Sequence, residues 1–251
     1  MLRLSYDGTH YAGWQIQPNA TTVQACVEEG IHKLTGETTR VHGSGRTDQG
    51  VHARCQVAHF DLTEKTPPAQ LVSGLNGVLP PDIRVTKGAY APASFHARRS
   101  ATGKEYRYFI WNGPVVPPFM RHMRTRVKPK LDVPAMRDAA SRLVGRHDFS
   151  AFTANPNRKV ESHVRELRQL RVMKRGKEIT IVANGEGFLY KMVRSLTGFL
   201  IRVGEGAVDP SQADDILSSR RRTARVPTAP PTGLFLWNVT YESGILPPHE
   251  R

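Results

Sequence analysis

The chain has 251 residues, 39% of them hydrophobic, so it can bury the core of one large or two modest domains. Its 36 Lys and Arg residues outnumber its 22 Asp and Glu residues, and the net charge of +14 predicts a polyanionic partner. No apolar run is long enough to span a bilayer and no signal-peptide pattern is present, so we expect a soluble, cytoplasmic protein without a membrane partner.

The pattern of apolar residues predicts five elements in the first part of the chain. Residues 2–6 alternate between apolar and polar, which is typical of a strand. Thr21 and Gln24 form a capping-box pattern ahead of an amphipathic helix that we expect to end at Gly36. The three further elements are a strand at Val51–Phe60, a short helix opened by Pro67 and Pro68, and a strand at Ile83–Ala89.

The second part of the chain also mixes strands with helices. Asp132 is a candidate N-cap for a helix with Pro134 in its first turn and Gly145 at its end. An amphipathic helix over 189–203 is expected to end at Gly204. The remaining elements are a strand at Tyr106–Trp111, a hairpin of Val164–Met173 and Glu178–Ala183, a helix that starts at Asp209–Pro210, and a strand at Leu234–Tyr241.

This order of elements predicts an α+β fold. Each half contains roughly strand–helix–strand followed by helix–strand, the split βαβ theme of ferredoxin-like and RRM-like folds. We expect a boundary within residues 95–103, which divides the chain into an N-terminal subdomain, 1–100, and a C-terminal subdomain, 101–251.

The most informative segment is a glycine-rich loop at residues 43–53, which reads Gly-Ser-Gly-Arg-Thr-Asp-Gln-Gly-Val-His-Ala. Its spacing matches neither the phosphate-binding loop of nucleotide hydrolases nor the dinucleotide-binding fingerprint. It carries one carboxylate, Asp48, which we expect to be ionised because Arg46 precedes it by two residues. Such a carboxylate can act as nucleophile, general base or electrostatic stabiliser, but the loop alone is equally typical of a turn with a surface ion pair.

The loop and several further motifs resemble the tRNA pseudouridine synthase A family. The loop motif is Gly45-Arg46-Thr47-Asp48-Gln49-Gly50-Val51-His52-Ala53, in which Gln49 stands where the family more often has Ala. The other motifs follow in the family's order: Tyr6-Asp7-Gly8 with Tyr11 and Gly13-Trp14-Gln15, Leu79-Pro80-Pro81-Asp82-Ile83, Phe95-His96-Ala97-Arg98, Tyr106-Arg107-Tyr108 and Met192-Val193-Arg194. The similarity runs from about Leu2 to Tyr241.

The resemblance implies a tRNA-uridine isomerase that acts on the anticodon arm, just 3′ of the anticodon, and needs no cofactor. It implies two subdomains that share an extended, mostly antiparallel sheet, with the active cleft between them, and a homodimer. Asp48 is implied to be the essential nucleophile or base, through attack at C6 or C1′ or removal of a sugar proton. Arg194 is implied to lie against this carboxylate, Arg46 to meet the RNA, and Tyr106 to stack on a flipped uracil.

The residues themselves leave the roles of Arg194 and Tyr106 open. Arg194 follows Met192 and Val193 near the start of an apolar helix, where a charge is costly unless it is paired. An Arg can also cover core surface with its stem while its head reaches water. A Tyr in a strand more often packs in the core than binds a base, and Tyr108 lies on the same strand face as Tyr106.

The positive charge is concentrated in the second part of the chain. Residues 1–100 carry 10 basic and 8 acidic residues, whereas residues 101–251 carry 26 and 14. Segment 121–130 contains no acid, and we expect a stripe that contacts RNA phosphates at Arg121, Arg124, Arg126, Lys128 and Lys130. The arginines that would extend this stripe are Arg220, Arg221, Arg222 and Arg225. Runs of charge are more often solvated faces than binding sites.

The sequence contains no recognisable metal-binding pattern. Two cysteines, Cys26 and Cys55, are too few for a zinc cluster or a disulfide framework, so we expect reduced thiols. The ten His residues show no His-Glu-x-x-His spacing, and His52 is expected to be structural. We therefore predict that the protein holds no metal.

Two other functions stay open. A non-catalytic RNA-binding module on an RRM-like sheet would use exposed aromatic and basic residues, but it has no need of an ionised Asp in a glycine loop. A glycosidic hydrolase would use Asp48, but it usually needs a second carboxylate, which no nearby residue clearly supplies.

Overall fold

The structure is a computed structural model that describes residues 1–155 and 160–242. The strands of these residues are β1 (Leu2–Tyr6), β2 (His42–Gly43), β3 (His52–His59), β4 (Ile83–Gly88), β5 (Ala101–Trp111), β6 (Thr125–Arg126), β7 (Gly145–Asp148), β8 (Val164–Arg175), β9 (Glu178–Gly185) and β10 (Leu234–Tyr241). The helices are α1 (Val23–Thr35), α2 (Pro68–Val78), α3 (Val133–Arg142), α4 (Met192–Gly204) and α5 (Gln212–Ser219).

The chain divides into two compact units that are not two successive halves. The first unit contains Met1–Lys104 and the segment that begins at Phe235, and the second contains Glu105–Leu234. The sequence-based division into 1–100 and 101–251 placed the last strand in the second subdomain, whereas β10 lies with the first unit. The reason is a parallel pairing in which Phe235 lies opposite His52, a long-range contact that no local pattern predicts.

The first unit has the strand order β4–β1–β3–β10, and β2 pairs with the C-terminal end of β3. Strand β1 is antiparallel to both of its neighbours. Leu2 and Leu4 of β1 are fully buried, and the apolar face of α1, with Val27 and Ile31, is buried as well. Alternation of apolar residues in the strand and their helical spacing in α1 therefore supply the core of this unit.

The second unit has the strand order β5–β9–β8–β7, and β6 runs parallel to β5. The hairpin of β8 and β9 is antiparallel, as its sequence predicts. Phe149, Phe152 and Phe199 pack edge to face at centroid distances of 6.0 and 5.9 Å, which ties α4 to the segment after β7. Most described strand pairs in the two units are antiparallel, and the prediction of an α+β fold is confirmed.

Local details at two helix ends differ from the sequence-based expectation. Helix α1 is capped by Thr22, whose hydroxyl accepts the Ala25 N–H at 3.3 Å, and not by Thr21. The Gln24 side chain is buried and accepts the Ile16 N–H, so the predicted capping box does not form. Helix α3 begins at its predicted cap but ends at Arg142 with Leu143 as its C-cap, and Gly145, with a φ of +122°, is the first residue of β7 and not the end of the helix.

None of the helices within residues 1–155 and 160–242 has the length and apolar character that crossing a bilayer requires. The longest of these helices, α1 and α4, have 13 residues each. A helix that spans the hydrocarbon core of a membrane needs roughly 20 apolar residues.

The cap of α1 gives a direct test of the local structure. Replacing Thr22 with Ala removes the acceptor of an orphan helix N–H, so we expect a loss of about 1 kcal/mol in the free energy of unfolding, measured by chemical denaturation. The neighbouring variant Thr21→Ala should change it by less than about 0.5 kcal/mol, because the Thr21 side chain is exposed. Equal losses in the two variants would contradict this assignment of the cap.

Candidate active site

The predicted catalytic residue lies in the irregular loop between β2 and β3. Asp48 is half-buried in this loop, whereas Arg46 and Gln49 are exposed. The loop therefore offers a carboxylate at its inner side and a cation at its outer side. Both residues belong to the first unit.

Hydrogen bonds hold the loop on both sides of Asp48. The Thr47 carbonyl accepts the Trp14 N–H at 3.1 Å, and the Thr47 hydroxyl shares a hydrogen bond of 2.9 Å with the buried Tyr6 hydroxyl. On the other side, the Gly50 N–H donates to the Tyr11 carbonyl at 3.3 Å. The segment Tyr6–Trp14 thus fixes the backbone that carries the carboxylate.

Glycines allow this segment to lie directly against the loop. A Cβ at position 13 would lie 2.5 Å from the Thr47 carbonyl oxygen, and Gly13 has a φ of +98°. A Cβ at position 8 would lie 2.0 Å from the Val51 carbonyl oxygen. Gly50, with a φ of +74°, supplies the turn after Asp48. The two glycines of the opening motif are therefore parts of the site and not spacers.

The buried His52, which directly follows the loop, contacts the segment that holds the loop. Nδ1 of His52 accepts the Gly8 N–H at 3.1 Å and lies 3.0 Å from an Asp7 carboxylate oxygen, and the His52 ring stacks on Phe235 at 4.5 Å. Burial opposes ionisation of Asp7, but hydrogen bonds from the Thr9 hydroxyl and N–H and the neighbouring His52 ring lower the pKa of the Asp7 carboxyl overall. These contacts agree with the structural role predicted for His52.

Sequence reasoning missed Gln56, which holds the start of the same loop. The Ser44 hydroxyl donates to the Gln56 side-chain oxygen at 2.6 Å, and the Gln56 amide donates to the Gly45 carbonyl at 2.8 Å. Gln56 is fully buried on β3. A glutamine between the apolar residues Cys55 and Val57 of a predicted strand is the signal that could have identified it.

The two tyrosines of β5 have different surroundings. Tyr108 is fully buried, and its hydroxyl bonds the Thr125 hydroxyl at 2.7 Å and donates to the Pro230 carbonyl at 2.8 Å. Burial raises the pKa of the Tyr108 hydroxyl, which stays a neutral donor. Tyr106 makes an edge-to-face contact with Phe188 at 5.1 Å, which fixes the orientation of its ring. Tyr108 is a core residue. Tyr106 is also buried, with 9% of its surface exposed, and it remains the candidate for a base platform.

Arg194 lies in the first turn of α4 and is half-buried. Its Nε donates to the Ala229 carbonyl at 2.8 Å, and its own carbonyl accepts the Ala229 N–H at 3.0 Å. Two hydrogen bonds to one residue fix both the backbone and the stem of this arginine. Its guanidinium is therefore held in place and is not a mobile surface cation.

The five residues of the predicted basic stripe do not all have the same surroundings. Arg121, Arg126, Lys128 and Lys130 are exposed. Arg124 differs, because its Nε is 2.5 Å from a Glu178 carboxylate oxygen and its guanidinium lies 4.2 Å above the Phe109 ring. Tyr106, Arg194 and the stripe all belong to the second unit.

No group of three or more His, Cys, Asp or Glu residues suited to a metal ion occurs among the described residues. The Cys26 and Cys55 thiols are both free, and burial raises the pKa of each. A thiol with a raised pKa is a poor nucleophile at neutral pH.

A protein-family model described as tRNA pseudouridine synthase matches residues 4–98 and 139–242. The chain belongs to this family. Proteins named tRNA pseudouridine synthase A are similar over nearly their whole length: 43% identity in Exiguobacterium sp. over 96% of this chain and 97% of the relative, and 44% identity in Myxococcus xanthus over 97% and 92%. The Ruminiclostridium cellulolyticum protein of that name is 44% identical, over 96% of this chain and 98% of its own.

Family membership confirms the predicted enzyme class, because pseudouridine synthases are isomerases. The matched ranges contain Arg46, Asp48 and Arg194, whereas Tyr106 and segment 121–130 lie outside them. A crystal structure of a Cbf5-Nop10-Gar1 complex overlaps 81% of this chain and 55% of its own, with a TM-score of 0.33 and 12% identity, and carries no part of the assignment.

The close approach at Gly13 can be tested by adding one methyl group. In Gly13→Ala, the strained φ and the contact with the Thr47 carbonyl should lower the free energy of unfolding by about 1–3 kcal/mol and reduce pseudouridine formation in tRNA. Gly77→Ala is the matched control, because Gly77 lies in α2 with no atom within 4 Å of an added Cβ. Wild-type activity in Gly13→Ala would contradict the proposed packing.

Proposed function

We propose that the protein converts uridine to pseudouridine in the anticodon arm of tRNA, just 3′ of the anticodon, with Asp48 as the catalytic residue. The observation that carries the proposal is the fixed position of Asp48. In a chain that belongs to this family, a half-buried carboxylate stands in a glycine-rich loop whose backbone is bonded on both sides by Tyr6–Trp14. A surface turn would need no such framework.

The reaction exchanges one bond to the ribose for another. The N1–C1′ bond of the uridine breaks, the uracil turns, and the C5–C1′ bond forms, while C5 loses a proton and N1 gains one. No oxidation state changes and no external group is transferred, so the proposal requires no cofactor and no metal. Asp48 either attacks C6 or C1′ or removes a sugar proton, and each route needs a carboxylate in its ionised form.

We assign two arginines and one aromatic ring to the substrate. The family resemblance implies that Arg194, held through Ala229, acts together with Asp48 in the reaction. Arg46, exposed on the same loop, would meet the RNA where the base has left the stack. Flipping the target base costs a few kcal/mol, of which stacking on Tyr106 would return about 1–3 kcal/mol.

The exposed part of the basic stripe is proposed to contact the tRNA backbone. Asn112 orders this segment, since its side-chain amide donates to the Val127 and Pro129 carbonyls and its oxygen accepts the Leu131 N–H. An open cavity of about 530 Å³ adjoins it and is lined by Lys130, Leu131, Asp132, Val133, Pro134, Arg137 and Lys174. A phosphate backbone could contact the three cations at this cavity, Lys130, Arg137 and Lys174, and the exposed Arg121, Arg126 and Lys128. Arg124 is instead paired with Glu178.

Two further parts of the proposal rest on the family resemblance. The enzyme would be a homodimer, and it would act in the cytoplasm. Size measurement in solution addresses the first, and fractionation of host cells addresses the second.

Replacing Asp48 with Asn tests the catalytic assignment. We expect release of tritium from 5-tritiated uridine in tRNA to fall below detection, because Asn lacks the carboxylate. The Kd for tRNA should change less than about threefold, because Asn has nearly the size and shape of Asp. Gln49→Ala, at the exposed neighbouring position, should retain wild-type turnover. Substantial turnover in purified Asp48→Asn would disprove the role of Asp48.

The same assay separates the other functions. A non-catalytic RNA-binding module would bind tRNA without releasing tritium, and a glycosidic hydrolase would liberate free uracil. Only an isomerase releases tritium and leaves the base attached to the ribose.

Replacing Lys128 with Ala tests the basic stripe. Loss of one phosphate contact should weaken tRNA binding and reduce the slope of log K against log salt by about 1. Arg142→Ala is the matched control, since Arg142 is paired with Asp138 at 3.1 Å and Asp214 at 2.9 Å. An unchanged salt slope in Lys128→Ala would remove this residue from the RNA surface.

A further inference from the structure

A short segment of the second unit lies directly against the start of α4. This segment, residues 227–230, is called the strap below. A Cβ at Gly198 of α4 would lie 2.0 Å from the Pro227 carbonyl oxygen, so the two backbones touch. One turn earlier, Ala229 exchanges two hydrogen bonds with Arg194. The strap is therefore the surface against which Arg194 is placed.

Arg222 fastens the strap to α4 and to a third segment. Its Nη2 donates to the Thr228 hydroxyl at 2.8 Å, and its Nη1 donates to the Ser195 hydroxyl at 2.7 Å and to the Thr153 carbonyl at 3.1 Å. Thr228 precedes Ala229, and Ser195 follows Arg194. The contacts of Arg222 thus lie next to both partners in the pair that holds Arg194.

Arg222 differs from the nearby Arg220 in the groups that its guanidinium contacts. Arg222 is half-buried and forms no ion pair with any residue that the structure describes, and burial lowers the pKa of its guanidinium. Arg220, in contrast, is exposed and lies 3.4 Å from a carboxylate oxygen of Asp148. A charge bonded only to neutral acceptors is costly, and the planar fork of Arg is the side chain that can reach three acceptors at once.

We propose that Arg222 is a positioning residue, which sets the place of the Arg194 guanidinium through the strap and Ser195. This inference rests on the proposed function, in which Arg194 serves the reaction. Arg222, Thr228, Ala229, Arg194 and Ser195 form a closed ring of covalent and hydrogen bonds. Without Arg222, this end of the strap can move away from α4, and the acceptor of the Arg194 Nε moves with it.

The other end of the strap has its own support, which makes the role testable. The Tyr108 hydroxyl donates to the Pro230 carbonyl at 2.8 Å, and this bond does not involve Arg222. We therefore expect Arg222→Ala to fold with its tRNA affinity retained. Its effect should appear in the chemical step and not in binding.

The experiment measures kcat and KM for tritium release in a double-mutant cycle. In Arg222→Ala, we expect kcat to fall about tenfold or more, and KM for tRNA to change less than about threefold. In the Arg194→Lys background, the same substitution should lower the rate less than about twofold, because the group that it positions is gone. Arg202→Ala is the control, since Arg202 is an exposed arginine of α4 paired with Glu205 at 3.6 Å.

A milder variant covers the case in which Arg222→Ala does not fold. Thr228→Val keeps the shape of the side chain and removes the acceptor of Nη2, so we expect kcat to fall about threefold, again with no further effect in Arg194→Lys. Equal factors in the two backgrounds, or a rise in KM alone, would overturn the positioning role. A wild-type protein that forms no pseudouridine, or an active Asp48→Asn, would instead overturn the proposed function.

Discussion

The position of the Asp48 carboxylate depends on the hydrogen bonds that join Thr47 to the segment Tyr6–Trp14. A glycine-rich loop has high conformational entropy, so a carboxylate on it is held in one place only if tertiary contacts select one conformation. The first turn of α1 extends these contacts, because the N–H groups of Val23 and Gln24 donate to carbonyls of that segment at 3.2 and 3.0 Å. The loop is therefore ordered only in the folded unit.

The second unit holds Arg194, the side chain proposed to act with Asp48, in a similar way. Arg194 is fixed by the backbone of Ala229, which belongs to another segment of the chain, and Arg222 holds that segment. Backbone groups of packed segments have little rotational freedom, so they position a side chain more accurately than a long surface side chain could. In both units, the framework behind the candidate side chain consists of buried or half-buried hydrogen bonds.

Cations that look alike in sequence differ physically in the structure. Lys128 is exposed and suited to a phosphate, Arg124 is neutralised by Glu178 and covers an aromatic ring, and Arg222 is surrounded by neutral acceptors. Mutation of the three should accordingly affect different quantities: the salt dependence of binding, the stability of the unit, and the rate of the chemical step. Net charge alone predicts a polyanionic partner but does not assign a role to any one arginine.

The sequence by itself determined most of the elements and singled out the glycine-rich loop, because periodicity, a helix-ending Gly36 and the motif around Asp48 are local properties. It did not predict the short strands β2, β6 and β7. It did not place the cap of α1 at Thr22, since two adjacent threonines look alike in sequence and only the folded backbone brings the Thr22 hydroxyl to the Ala25 N–H. Only the tertiary structure decided that β10 pairs with β3 and that Arg222 bonds Ser195 and Thr228, the neighbours of Arg194 and Ala229. Most of those contacts join residues far apart in the chain, and they form only when the surrounding core has brought the segments together.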